Sequence, residues 1–416
     1  MRHLLLAACA VTALPAFAAT PANVVKTYAD IAEASYGDSL ATAQTLQAVI
    51  AAFLAAPSDE TLKAARFAWL AARVPYQQTE AYRFGNPVVD DWEGDVNAWP
   101  LDEGLIDYVD DSYGLSEDNA LARLNVIATP KFTLSGKEVD ATKITPEFLK
   151  DTLKEADGVE ANVATGYHAV EFLLWGQDLH GIEAGAGERP FTDYDQGAGC
   201  TNGNCDRRAE YLTAATALLV NDLAEMTGDW GAEGAARAAV TTDPKASIMA
   251  ILTGMGSLSY GELAGQRMKL GLMLNDPEEE HDCFSDNTHN SAYYDGMGIR
   301  NVYLGSYTRV DGTVVSGASV SELVAAADPA VDTQLKAELD ATMVALGAIK
   351  TAAEGGMAWD QMLAAGNKQG EALIMGGVNG LVTQTQSVQR AIGALGLQAV
   401  AFEGSDSLDN PNAVFQ

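Results

Sequence analysis

Helix-start signals recur along this chain, each ahead of a stretch of helical periodicity, and few folds accommodate so many. Pro57-Ser58-Asp59-Glu60 offers an N-cap hydroxyl and first-turn acids, and Leu62, Phe67, Trp69 and Leu70 follow at helical spacing. Pro75 falls inside that pattern, so the helix is expected to continue past it with a kink, because the ring removes one hydrogen bond and crowds the preceding turn. Thr145-Pro146-Glu147 is a second start with proline in the first helical position. Phe148, Leu149 and Leu153, then Val163, His168, Phe172 and Leu173, predict one or two helices ending near Gly176. The windows 207–226, 246–273, 329–353 and 371–395 read the same way, and Ser319 with Glu322 has the spacing of a capping box.

Two short β signals interrupt this pattern. Asp311-Gly312 stands between β-branched runs, and Ser135-Gly136 marks a weaker hairpin near Phe132. The expected fold class is therefore all-α, with two four-helix-bundle-like halves and short β-hairpin decorations. Polar, glycine-rich stretches at 181–204 and 227–243 read as long loops. The expected organisation is a signal peptide at 1–19, an N-terminal helical bundle at 20–230 and a C-terminal helical bundle at 231–416.

Charge narrows the function classes. With 25 Lys+Arg against 57 Asp+Glu, the balance of −32 leaves no basic face for phosphate, which excludes nucleic acid as a partner. The 48% hydrophobic content is enough to build a core, which separates this chain from disordered acidic segments. Residues 1–18 open with Arg2 and His3, run through an apolar stretch and close on Ala16-Phe17-Ala18, the pattern of a cleaved secretory signal. Anchoring as a lipoprotein at Cys9 is not expected, because too few apolar residues precede it. The mature protein is thus expected to be periplasmic or otherwise exported. An oxidising compartment suits Cys200-Thr-Asn-Gly-Asn-Cys205, whose turn-rich spacing can close a disulfide; half of a zinc site is the alternative.

Chemistry concentrates around His168. In Gly166-Tyr-His168-Ala-Val-Glu171-Phe-Leu-Leu-Trp175-Gly, a three-residue separation on a helix puts an imidazole and a carboxylate on one face, where both can reach one ion. A satisfied core histidine with a glutamate partner is the plainer reading. Against it stands the cost of burying an uncompensated carboxylate among Phe172, Leu173, Leu174 and Trp175.

The Gly-x-His-x-x-Glu motif, with Arg-Pro-Phe-Thr-Asp-Tyr at 189–194, resembles the imelysin family, also called peptidase family M75. Trp69-Leu-Ala-Ala-Arg73-Val-Pro-Tyr76, Asn97-Ala-Trp-Pro100-Leu-Asp102, Gly254-Met-Gly-Ser257 and Glu278-Glu-Glu-His281-Asp-Cys-Phe-Ser285 extend the resemblance over nearly the whole mature chain, toward its iron-regulated branch. The resemblance implies two helical bundles with a functional site around the His-x-x-Glu helix. It implies that His168, Glu171 and Glu80, an acid from an early helix, bind a divalent or trivalent metal ion, with iron favoured and zinc the alternative. Arg83 stands where relatives can carry another acid, and Asp102 is a substitute for it. Glu80 and Arg83 otherwise read as a surface helix ion pair.

Three functions follow as expectations. The first is an exported metal-binding protein for iron acquisition, whose partners are the metal ion or a metal chelate and outer- or inner-membrane iron-uptake components. The second is a metal-dependent peptidase with Glu171 as base, although the His-Glu-x-x-His pattern of zincins is absent from the sequence. The third is a non-catalytic partner-binding helical protein. Glu262 and Arg267 either complete a polar cleft against the first half or pair in solvent. The acidic loop carrying His281, Asp282, Asp286 and His289 is expected to serve structure through caps and turns, with a second metal site as the alternative.

Overall fold

A computed structural model describes residues 19–113 and 119–415; the expected signal peptide, with Cys9, lies outside the described residues. Nine α-helices of ten or more residues carry the fold: α1 Pro21–Ala55, α2 Asp59–Gln77, α3 Pro87–Val96, α4 Gly166–Trp175, α5 Cys205–Asp229, α6 Pro244–Ser257, α7 Thr288–Leu304, α8 Pro329–Glu354 and α9 Lys368–Ala394. Only two two-stranded sheets accompany them among the described residues, so the fold is all-α as the sequence predicts. No described helix is long and apolar enough to cross a membrane.

The helix starts form where their caps predict. Ser58 and Thr61 satisfy each other's backbone N–H at the start of α2, and Ser319 and Glu322 do the same at a shorter helix, Val320–Ala327. The proline effect is smaller than expected, because Pro75 sits in the last turn of α2 and the helix stops at Gln77. The start at Thr145 yields only Pro146–Phe148 before a wider π-turn, Leu149–Leu153. The second expected loop is partly helical over Ala235–Thr241. Its alanine-rich sequence favours helix, and Arg237 anchors it through Asp30 and Glu33 of α1 at 3.0 and 2.7 Å.

Both hairpins form. β1 Lys131–Leu134 pairs with β2 Lys137–Asp140 across Ser135 and Gly136, whose φ values of 47° and 76° suit the tight turn. In the other, β3 Ser306–Thr308 and β4 Val314–Ser316 end short of Asp311-Gly312. There Asp38 on α1 draws the chain aside, accepting from Arg309 Nη2 at 2.6 Å and from the Val310 N–H at 3.0 Å.

Helix α1 packs against α2 and α5, and α4 is wedged between α2 and α5. Helices α7, α8 and α9 pack in sequence, with the π-helical continuation of α6, Leu258–Leu270, against α9. The two groups meet where α6 lies on α1 and α7 on α2, and their buried apolar side chains belong to one contiguous cluster. Gly298 of α7 makes the second contact close: a Cβ there would sit 2.5 Å from the Gln78 carbonyl oxygen. Helix α2 thus contacts both α7 and the His168 helix.

Candidate metal centre

All ten residues of α4 are buried, which explains its nearly unbroken apolar sequence. Gly166 opens it with φ +77°, and a Cβ at that position would lie 2.4 Å from the Val96 carbonyl oxygen, so only glycine fits. At the other end Arg66 donates to the Leu174 carbonyl at 3.0 Å, satisfying an acceptor that a helix C-terminus leaves unpaired, and to the Arg189 carbonyl at 3.0 Å. His168 and Glu171 are held one turn apart on this rigid segment, with His168 Nδ1 3.0 Å from Glu171 Oε2.

The facing side comes from residues 281–285, more than a hundred positions later. The His281 ring meets His168 edge-on with centroids 4.7 Å apart. Asp282 Oδ1 is 3.9 Å from His168 Nδ1 and 3.6 Å from His281 Nδ1. Ser285 donates to Glu171 Oε1 from its N–H at 3.0 Å and its hydroxyl at 2.6 Å. Arg73 of α2 places Nη2 2.7 Å from Asp282 Oδ1, and its Nη1 donates to Asn97 Oδ1 at 2.6 Å. The Arg73 guanidinium also lies over the rings of Trp69, Tyr76 and Tyr167, which replaces water with aromatic faces.

Burial decides the charge states. His168, Glu171, His281 and Asp282 are at most 2% exposed. Burial, aided by Arg73, pushes the His168 imidazole down to about 3, and burial with Arg267 nearby holds His281 well below the usual histidine range. Both rings are therefore neutral at pH 7, the form that ligates metal. Burial would raise Asp282, but Arg73 outweighs it and keeps the carboxylate ionised; burial and Asp282 push Glu171 well above the usual range.

The donor set fits a transition-metal ion. Ligand atoms of His168, His281 and Asp282 lie within 4.8 Å of one another, and His168 Nε2 is buried with no hydrogen-bond partner. Ligands about 2.1 Å from a common ion stand roughly 3.0–3.4 Å apart; Asp282 Oδ1 stands 3.6 Å from His281 Nδ1, near that spacing, and 3.9 Å from His168 Nδ1, which Glu171 Oε2 engages at 3.0 Å. Two imidazoles and a carboxylate suit iron(II) or zinc better than an oxygen-only site would.

Other expected site residues lie elsewhere. The Glu80 carboxylate, expected beside His168, is 2.8 Å from Arg267 Nη2, and Arg267 also reaches Glu262 at 2.8 Å and Asp295 at 3.1 Å. Glu80 is buried instead of forming a surface pair with Arg83, which bonds Asp90 at 3.0 Å and approaches Glu93 and Glu262. Glu262 and Arg267 thus do face the first half, as parts of a buried ion-pair network beside the centre. Asp102 accepts from Tyr113 and Asn119 and lines a separate cleft. Cys200 and Cys205 form the expected disulfide.

Asp282 serves the loop as expected, accepting from Asn287 at 2.8 Å and from Ser291, and the structure also brings His281 and Asp282 to His168, which periodicity could not reveal because the loop has none. Arg73 carries one signal in the sequence, a lone arginine amid the apolar residues of Trp69–Tyr76.

The model of the family described as Imelysin matches residues 32–388. The chain belongs to the imelysin family. A 72-residue stretch is 36% identical to iron-regulated protein A of Synechococcus elongatus, covering 17% of this chain and 20% of that protein. The chain therefore matches only about a fifth of that relative's length. Two crystal structures share the imelysin fold over most of their length. A protein described as an iron-regulated protein A precursor from Parabacteroides distasonis is 17% identical with a TM-score of 0.63, covering 90% of this chain and 95% of that one. An imelysin-like protein from Psychrobacter arcticum is 14% identical with a TM-score of 0.56, covering 93% and 100%.

Proposed function

We propose that this imelysin-family chain is an exported iron-binding protein that serves iron acquisition. The convergence of His168, His281 and Asp282 on one buried point, with Glu171 bonded to His168, carries the reading. His168 and His281 supply neutral nitrogen donors, and Asp282 supplies an ionised oxygen. Glu171 either completes the set or fixes the His168 ring through Nδ1, as carboxylates behind ligating histidines do. Arg73 holds Asp282 in place and, as a fixed positive charge, limits how much cationic charge the centre accepts. The names of the Synechococcus and Parabacteroides proteins support iron over zinc.

Burial favours binding over peptide hydrolysis. An ion at this point would sit among residues at most 2% exposed, which gives an extended polypeptide no approach. Its delivery or removal then depends on membrane iron-uptake components or on a chelate.

Metal content of the purified protein, with Fe(II) and Zn(II) titrations of the native chain and of His168→Ala and His281→Ala, tests the proposal. One tightly bound iron per chain, lost in both variants, is expected. Iron binding that survives both substitutions, or no stoichiometric iron in the native chain, overturns it; tight zinc with peptide turnover would establish the peptidase reading instead.

A further inference from the structure

A second group of acids lies behind the histidine centre. Asp178 follows the C-terminus of α4, Glu280 and Asp286 bracket the His281–Ser285 segment, and Asp360 comes from the short helix Trp359–Leu363. Ligand oxygens of Asp178, Asp286 and Asp360 lie within 4.8 Å of one another. Glu280 has an extended backbone, φ −78° and ψ 134°, so its side chain leaves the chain opposite to that of His281.

Buried acids call for partners, and these meet mainly one another. Glu280 is 0% exposed and Asp360 2% exposed. No N–H donor among the described residues reaches either Glu280 carboxylate oxygen, Asp360 Oδ2 or Asp286 Oδ1; Asp360 instead meets the carboxyl groups of both Glu280 and Asp286, contacts between acids that need a shared proton or a cation to hold them. Glu280 faces Asp360 and Asp286, two further acids. Among the described residues no lysine or arginine forms an ion pair with any of the four carboxylates. Two backbone donors reach the group, His180 N–H to Asp178 at 2.8 Å and Gly185 N–H to Asp286 at 3.2 Å. An isolated buried carboxylate is costly, and four together without a cation are more so.

We propose that Asp178, Glu280, Asp286 and Asp360 form a binding site for a hard divalent cation of the calcium type, distinct from the histidine centre. All four donors are carboxylate oxygens, the ligands such ions prefer, with no nitrogen or sulfur among them. Oxygens on opposite sides of a calcium ion stand about 4.6–5.2 Å apart, given bonds of about 2.3–2.6 Å, which the spacing of Asp178, Asp286 and Asp360 accommodates, with Glu280 joining them beside Asp360. An approach exists. A cleft of about 490 Å³ lined by Asp102, Glu103, Glu278 and Asp178 reaches the cluster at Asp178, and a smaller recess continues from there to Asp360. Its acidic walls attract cations. A cation here ties the end of α4 to the 280–286 segment and to Trp359–Leu363, and so holds both sides of the histidine centre in register.

Calorimetric titration and melting of the chelator-treated protein with CaCl2 or MgCl2 in 0.15 M NaCl test the site. The native chain is expected to show one saturable binding event and a Tm raised by a few degrees at saturating ion. Glu280→Gln and Asp360→Asn are each expected to weaken that event at least tenfold and to abolish the shift, while melting at or above the native Tm in chelator because a facing charge is gone. Asp178→Asn, at the cleft edge, serves as a further variant with the same expected loss. His168→Ala is expected to keep the response, which separates this site from the histidine centre. Absence of a saturable event with either ion in the native chain overturns the proposal, as does an event of unchanged affinity in Glu280→Gln and Asp360→Asn, since it would then belong to general surface charge.

Discussion

Arg73 and Asp282 join the two sides of the candidate metal centre through one buried contact, Nη2 to Oδ1 at 2.7 Å, between residues 209 positions apart. Both side chains are about 1% exposed or less, so each charge depends on the other. The same guanidinium nitrogen is 3.4 Å from His281 Nδ1, which makes Arg73 the element that orients the 281–282 pair.

Replacing Arg73 with methionine keeps much of the volume and removes the charge. The uncompensated Asp282 carboxylate should then lower the unfolding free energy by about 3–5 kcal/mol. Urea unfolding of native and Arg73→Met protein measures this, and a loss under about 1 kcal/mol would show that solvent or another cation takes over the role of the guanidinium.

Glu171→Gln preserves the shape of the side chain and leaves the Ser285 donors facing an amide oxygen. The change weakens the hold on the His168 ring and removes a carboxylate from the centre. Iron affinity should fall about 10–100-fold with little change in melting temperature. Competition titration against a chelator of known affinity reads the effect.

Glu93 carries a pH dependence whose sign is opposite to the usual one for a carboxylate. Burial and the neighbouring Glu80 raise it from 4.5 to about 7 despite Arg83. Between those values the folded protein holds a proton that the unfolded chain has released, so stability rises as pH falls from about 8 to 5. The contribution is on the order of 3 kcal/mol. Glu93→Gln should remove it, so that denaturant midpoints of native and variant protein measured across this range differ most above pH 7 and converge toward pH 5.

Gly166→Ala places a methyl group 2.4 Å from the Val96 carbonyl oxygen on a backbone with φ +77°. The combined clash and left-handed strain should destabilise the protein by more than about 1 kcal/mol. Because the shift displaces the first turn of α4, iron affinity should fall with it, while Gly136→Ala, where nothing lies within 4 Å, should leave the affinity unchanged.

Local chemistry determined much of this protein within the sequence itself. Caps at Ser58, Thr145 and Ser319 act over three or four residues, so they specify helix starts whatever the tertiary context. The His168–Glu171 pair is legible for the same reason, since a helix fixes which side chains share a face. The Cys200–Cys205 disulfide spans only five positions. Tertiary structure alone decided what His168 faces. His281 and Asp282 lie in an irregular loop with no periodic signal, and Arg73 joins them only because α2 packs beside α4 and α7. Glu80 shows the converse: its residue type suits a ligand, but the packing of α6 and its continuation delivers Arg267 to it first. Spacing along one helix is a property of the backbone, whereas the meeting of charges from distant segments depends on which surfaces bury one another.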